Sequence, residues 1–175
     1  MKTTAAGRFP LAGSKPLTPE VPMAFRMSSR AFKDGETLPT HYTADGEDVS
    51  PPLEWHEVPP GTKTIALVCY DPDAANGNFT HWLVYNIPTT VVLFPEAFPP
   101  LKSQANGTRQ GVNDFGSIGY GGPDPPSGTH RYFFKLYALS ATLDLEEGSK
   151  RPQFERAIQR RIVGQAELMG KYEKK

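Results

Sequence analysis

Only one cysteine, Cys69, occurs in the 175 residues, so no disulfide can form within the chain. Cys69 falls in an apolar stretch, which makes a buried free thiol the default reading and a redox sensor the minor one. Charge of one sign is also lacking. Lys plus Arg number 19, Asp plus Glu number 19, and the net charge is +0. No basic excess exists to displace counterions, and nucleic acid is not an expected partner. Long apolar runs are missing too. None reaches the ~18–20 residues of a membrane span, so no integral membrane segment is expected. Lys2 and Arg8 are not followed by a continuous apolar stretch, and Pro10, Pro16, Pro19 and Pro22 interrupt the residues beyond Arg8. A signal peptide is therefore not expected, and the cytoplasm is the expected compartment. No Gly-x-Ser-x-Gly element is present to build a strained nucleophile. The glycines at 116–122 lack the Gly-Lys-Ser/Thr of a phosphate-binding loop.

Proline and glycine are abundant, at 18 and 16 residues. They argue for many turns and a β-rich chain rather than a helical bundle. Residues 1–22 carry Pro, Thr, Ala and Gly without apolar period and read as a flexible arm. Residues 23–175 read as one domain, large enough for a real core. Met23–Ser28 alternates and suggests a first strand. Ser50–Trp55 is extended by its prolines. Ile65–Tyr70 is an unbroken apolar run, expected in the middle of a sheet covered on both faces. Trp82–Ile87 is the next strand, Val91–Phe94 a short one, and 95–113 a long loop. Tyr132–Leu139 is the third strong strand. Ser149 is a candidate helix cap, with Pro152 in the first turn and Phe154, Ala157 and Ile158 at helical spacing. The pattern then changes to a period of two through Gly164, Ala166 and Leu168. The reading is a short helix over 149–161, then a final strand to Tyr172. One longer helix is the alternative.

Ionisable residues cluster where strands end. Asp71 and Asp73 follow the first strong strand, His81 opens the second, and His130 precedes the third. If these strands are neighbours, the groups converge at one edge. A carboxylate beside an imidazole orients the ring and favours its charged form, which can bind an oxyanion. The alternative is that each group only caps a turn. Two His and an Asp could also ligate Zn or Fe(II), but no His-x-x-x-His helix supports it. The segment Asp114–Tyr137 carries a Gly/Pro loop into the third strand. Its glycines let the main chain approach a ligand with N–H groups turned inward. Arg109 and Arg131 are cations near this loop in sequence; either solvated surface positions or an anion-binding role fits them.

Asp71-Pro-Asp-Ala74, His81-Trp82, Gly119-Tyr-Gly-Gly-Pro123, Pro125-Pro126 and His130-Arg-Tyr132 occur in an order that resembles the phosphatidylethanolamine-binding protein (PEBP) family. Tyr42–Trp55 and Ala166–Tyr172 resemble its bacterial and archaeal branch, related to the Raf kinase inhibitor-like proteins. The resemblance spans about Met23 to Tyr172. It implies a mainly β fold: an antiparallel β-sandwich with Greek-key connections and one or two short helices. It also implies a pocket for phosphate, acetate or phospholipid head-group fragments. Carried over by motif, the ligand-binding residues are Asp71, Asp73, His81, Tyr120, Gly122, Pro123, His130 and Tyr132. The chain departs from the family pattern at Ala75, where proline is usual, and at Asp124, which adds a carboxylate beside the pocket.

The leading expectation is a non-enzymatic binding protein for a small anionic or phosphorylated ligand, with a possible regulatory role. One alternative is a kinase or protease inhibitor acting by protein–protein contact, with 95–113 as its candidate loop. Another is an enzyme using the His/Asp cluster, for which no dedicated nucleophile stands out. No catalytic residue, metal or cofactor is expected. The resemblance leaves open a homodimer and an unidentified protein partner.

Overall fold

The computed structural model describes residues 24–175. The expected arm over 1–22 lies outside the described residues. Among the described residues, eight strands form two antiparallel sheets. The small sheet has the order β1-β2-β5, from β1 (Arg26–Ser28), β2 (Leu53–His56) and β5 (Leu93–Phe94). The large sheet has the order β6-β4-β3-β7-β8. Its strands are β3 (Thr64–Asp71), β4 (Phe79–Pro88), β6 (Arg109–Gln110), β7 (Thr129–Leu139) and β8 (Ile162–Glu173).

β3 is the middle strand, paired with β4 on one side and β7 on the other. Its unbroken apolar sequence follows from that position, because both faces are covered. Ile65, Leu67 and Cys69 face the small sheet, in a core with Met27, Leu53, Trp55, Trp82 and Phe134. Ala66 and Val68 face the other way, against Leu83, Tyr85, Phe154 and Ile158. That second core is closed by α1 (Arg151–Ile158), whose buried Phe154 and Ile158 are one helical turn apart. The helix and the final strand follow the sequence expectation closely. The cap does not. Lys150 occupies the N-cap position, with its N–H donated to the Gln153 side chain at 2.6 Å. Ser149 instead donates its hydroxyl to the Glu146 carbonyl.

Two features escaped sequence reasoning. The stretch 95–113, expected to be loop, contains β6, because buried Gln110 ties it to the sheet. Gln110 accepts from Trp82 Nε1 at 2.8 Å and donates to the carbonyls of Pro99 and Leu101. β4 also carries a bulge. Ile65 pairs with Ile87 but Leu67 pairs with Val84, leaving Tyr85 and Asn86 opposite Ala66. Asn86 takes a left-handed φ of 57° there. Its side chain bonds both backbone groups of Leu143.

β8 alternates buried and exposed residues as its period of two predicts, with Ala166, Leu168 and Tyr172 inward. Its far half is covered by 35–38. Gly35 N–H and Leu38 N–H donate to the carbonyls of Met169 and Lys171 at 2.7 Å each. Gly170 permits that approach, since a Cβ there would lie 2.6 Å from Leu38 Cγ.

Candidate functional site

The three polar groups at the strand ends come together at one end of the large sheet. Asp71 closes β3 and His130 is the second residue of β7. Their strands pair antiparallel, with Tyr70 opposite Phe133. Asp71 Oδ2 accepts from His130 Nδ1 at 2.6 Å, and Asp71 Oδ1 accepts the Asp73 N–H at 2.7 Å. Both side chains are largely buried, at 5% and 12% exposure. His81 lies inside β4 rather than before it, because the strand begins at Phe79. Its Nδ1 is 2.6 Å from the Gly121 carbonyl. A carbonyl only accepts, so Nδ1 carries the proton. In each ring, then, Nε2 is the nitrogen left over.

These residues line a cavity of about 160 Å³ with Tyr132, Phe79, Phe115, Ala74, Ala75, Asp124, Pro125 and Pro126. Aromatic rings wall it. Phe79, Phe115 and Tyr132 stand 5.0, 5.3 and 5.2 Å from the His81 ring, centroid to centroid. A groove of equal size on the small sheet is lined by Leu53, Leu93, Phe94 and prolines. Its charged groups are Arg30 and Glu54, 3.9 Å apart. The chemistry is concentrated in the first cavity.

Of the eight residues singled out from sequence, Asp71, His81, His130 and Tyr132 line the cavity. The other four stand behind or beside it. Asp73 forks onto Arg131 through bonds of 2.9 and 2.8 Å. That guanidinium holds the Asp73 carboxyl at about 2. Tyr120 is half-buried against Trp82 and donates its hydroxyl to the Tyr42 carbonyl at 2.7 Å. Gly122 gives its N–H to Asp48 Oδ1 at 2.7 Å, and the Pro123 carbonyl accepts from the Ala44 N–H at 2.9 Å. The inward-pointing N–H groups expected of the glycine loop are thus spent inside the protein at two positions. Gly121 N–H goes to the His81 carbonyl at 2.9 Å, and Gly122 N–H goes to Asp48. Residues 42–48 clasp 120–123 from behind, and the clasp positions His81.

Arg131 is engaged by Asp73, and Arg109 does not line the cavity. Arg109 donates to the Leu145 carbonyl and borders a surface pocket with Lys63, Asn86 and Asp144 at the opposite end of β3. Sequence reasoning missed Phe79 and Phe115. Phe79 and His81 share a face by the strand period of two, which was a usable signal. Phe115 had none. Its loop is shaped by buried Asn113, which accepts the N–H groups of Phe115 and Ser117 and donates to the Gly119 carbonyl.

Burial lowers the pKa of His81, and the Gly121 carbonyl with nearby Asp71, Asp114 and Asp48 opposes that fall. Burial first, and then the Asp71 charge, pushes the Tyr132 phenol up, so it stays protonated. Asp124 does not stand as a bare charge, because Lys174 Nζ lies 2.9 Å from its Oδ1. Cys69 is fully buried behind the site, and burial raises its thiol pKa well above the usual value. No Ser, Thr or Cys is among the lining residues. Among the described residues, no group of three or more His, Cys, Asp or Glu side chains is placed to hold a metal ion. Among them, no helix is long and apolar enough to cross a membrane.

The family model described as phosphatidylethanolamine-binding protein matches residues 28–173. A UPF0098 protein of Methanothermobacter thermautotrophicus is 45% identical over 146 residues, covering 83% of this chain and 97% of the relative. A UPF0098 protein of Aquifex aeolicus is 48% identical over 149 residues, covering 83% and 86%. Among solved structures, a phosphatidylethanolamine-binding protein homolog of Chlamydia trachomatis superposes with a TM-score of 0.80 at 38% identity, over 87% of this chain and 99% of that one. The E. coli protein YbcL, a member of the mammalian PEBP family, gives 0.79 at 35% identity over 86% and 99%.

Proposed function

Because this chain belongs to the phosphatidylethanolamine-binding protein family, we propose that it is a binding protein whose cavity takes a small oxyanion, phosphate or a phospholipid head-group-like ester. The observation that carries the reading is the 2.6 Å bond from His130 to Asp71, with His81 lining the same cavity. Each imidazole has its Nδ1 proton committed to an acceptor. Protonation at Nε2 would give each ring a charged donor for an anionic oxygen, the stronger class of hydrogen bond. The aromatic and proline walls exclude water around it and strengthen the charge interaction. The cavity lining holds no Ser, Thr or Cys and the Tyr132 phenol stays protonated, which favours binding over covalent catalysis by a hydroxyl or thiol.

Titration calorimetry with phosphate tests the proposal. Wild type should bind more tightly at pH 5.5 than at pH 8, because neutral rings lose both the charge and the donor. His81→Ala and His130→Ala should each weaken binding by about 1.5–3 kcal/mol, the range for hydrogen bonds to charged groups. Wild-type affinity in both variants would refute the assignment.

A further inference from the structure

Resting on that reading, we infer that Asp48, which does not line the cavity, orients His81 and strengthens its hold on a proton through the peptide group joining Gly121 to Gly122. Asp48 Oδ1 accepts the Gly122 N–H at 2.7 Å. The Gly121 carbonyl accepts His81 Nδ1–H at 2.6 Å. That N–H and that C=O are the two ends of one peptide unit. A carboxylate on the N–H end draws the amide dipole toward the carbonyl oxygen and makes it a better acceptor. A better acceptor on Nδ1 makes Nε2 more basic, as a carboxylate does for a metal-bound histidine. His130 has its own carboxylate partner in direct contact, Asp71. Each ring then has one carboxylate behind it, one in contact and one relayed.

The surroundings hold this relay in place. His81 and Gly121 are joined twice, since the Gly121 N–H also donates to the His81 carbonyl at 2.9 Å. Asp48 sits at a left-handed φ of 59°. A Cβ on Gly122 would lie 2.5 Å from Asp48 Oδ1, so only glycine lets the carboxylate come this close. The other charges facing His81 are Asp71 and Asp114. His130 shares the cavity, and Asp124 is on its lining, tied to Lys174. Asp48 alone reaches His81 through the bond on Nδ1.

Asp48→Asn separates charge from shape, because the amide oxygen can still accept the Gly122 N–H. NMR titration of the His81 ring in phosphate-free protein should show its midpoint falling by about half a pH unit, the order expected for one charge several ångströms away. Phosphate binding at pH 7.5 should weaken about threefold, the same half unit expressed as a ratio. It should converge with wild type at low pH, where His81 is protonated in both. Weakening by one constant factor at every pH would mean that Asp48 is only a latch, and would overturn the inference. An unchanged His81 midpoint would overturn it while leaving phosphate binding by wild type intact. A midpoint that falls in a protein whose wild type binds no phosphate supports the relay and refutes the anion-binding reading instead. One measurement needs no variant: the Gly122 amide proton of wild type should titrate with the His81 midpoint. An amide blind to that titration overturns the relay.

Discussion

His130 and Asp71 lie 59 positions apart in the chain and share a hydrogen bond of 2.6 Å. Antiparallel pairing of β3 with β7 brings them together, since the end of one strand meets the start of the other. The same carboxylate accepts the Asp73 N–H at 2.7 Å and so also fixes the turn after β3. Asp71 is therefore both part of the cavity wall and the brace of its neighbours.

Asp71→Ala should destabilise the fold. It strips the acceptor from His130 Nδ1 and from the Asp73 N–H at a buried site, at about 1–3 kcal/mol for each group left unpaired. Asp71→Asn keeps an acceptor oxygen and should cost less. Urea unfolding of both variants checks this. Equal losses would mean that the negative charge matters, not the acceptor oxygen that Asn retains.

Gly122→Ala should be unfavourable for a different reason. The new methyl would lie 2.5 Å from Asp48 Oδ1 and 2.6 Å from the Tyr42 carbonyl oxygen. Overpacking of this kind costs about 1–3 kcal/mol and shifts backbone. Differential scanning calorimetry should show a lower Tm, and the His81 ring signals should move with it. A variant as stable as wild type would show that the clasp between 42–48 and 120–123 is loose.

Stability should fall as the solution is acidified from neutral, in phosphate-free buffer. His81 has a folded-state pKa below its ordinary value because it is buried. The unfolded chain then binds more protons than the folded one. The stabilisation from keeping His81 neutral is present above the unfolded value of about 6.5 and is lost as pH falls through the folded value. His81→Gln should flatten this part of the profile. Asp73 adds a second loss at lower pH. Its carboxyl is held at about 2 by Arg131, so its contribution disappears as pH drops from the ordinary carboxylate range toward that value. A His81→Gln profile that parallels wild type between pH 7 and 5 would contradict the assignment of the first loss.

Lys174→Ala should weaken phosphate binding by about twofold at low salt, a modest effect because the Lys174–Asp124 pair is half exposed. Without Lys174 the Asp124 carboxylate repels an incoming anion. Asp124→Asn in the same background should restore affinity, and high salt should erase the difference. A Lys174→Ala effect that survives the second substitution would point away from charge.

Much of this architecture is legible in single residues. Ile65–Tyr70 is apolar on both faces, which places β3 centrally, and the sheet order agrees. Ala166, Leu168 and Tyr172 announce an edge strand with one buried face. Phe154 and Ile158 mark the helix. The features that stayed hidden depend on contacts between distant residues. Gln110 looks like a loop residue until Trp82 and two carbonyls satisfy it. Asn86 looks like a strand-breaker until Leu143 fills both ends of its amide. In the candidate site, the meeting of Asp71, His81 and His130 follows from strand ends, which period and turn signals reveal. Phe115 and Asp48 sit on loops whose shapes come from buried hydrogen bonds, and local sequence says nothing of those.

The cavity's two walls differ in mechanical character. Asp71 and His130 belong to the two strands that pair through the middle of the large sheet. Separating that wall means parting these two strands, so the amides of their paired stretch, Thr64–Tyr70 with Phe133–Leu139, should be the slowest to exchange with deuterium. Phe115, at 49% exposure, and the prolines of 125–126 belong to connecting segments outside the sheet ladders. The proposed ligand should enter by displacing the second wall, while the charged groups stay still. Exit rates should therefore respond to changes at Phe115 far more than to changes in β3.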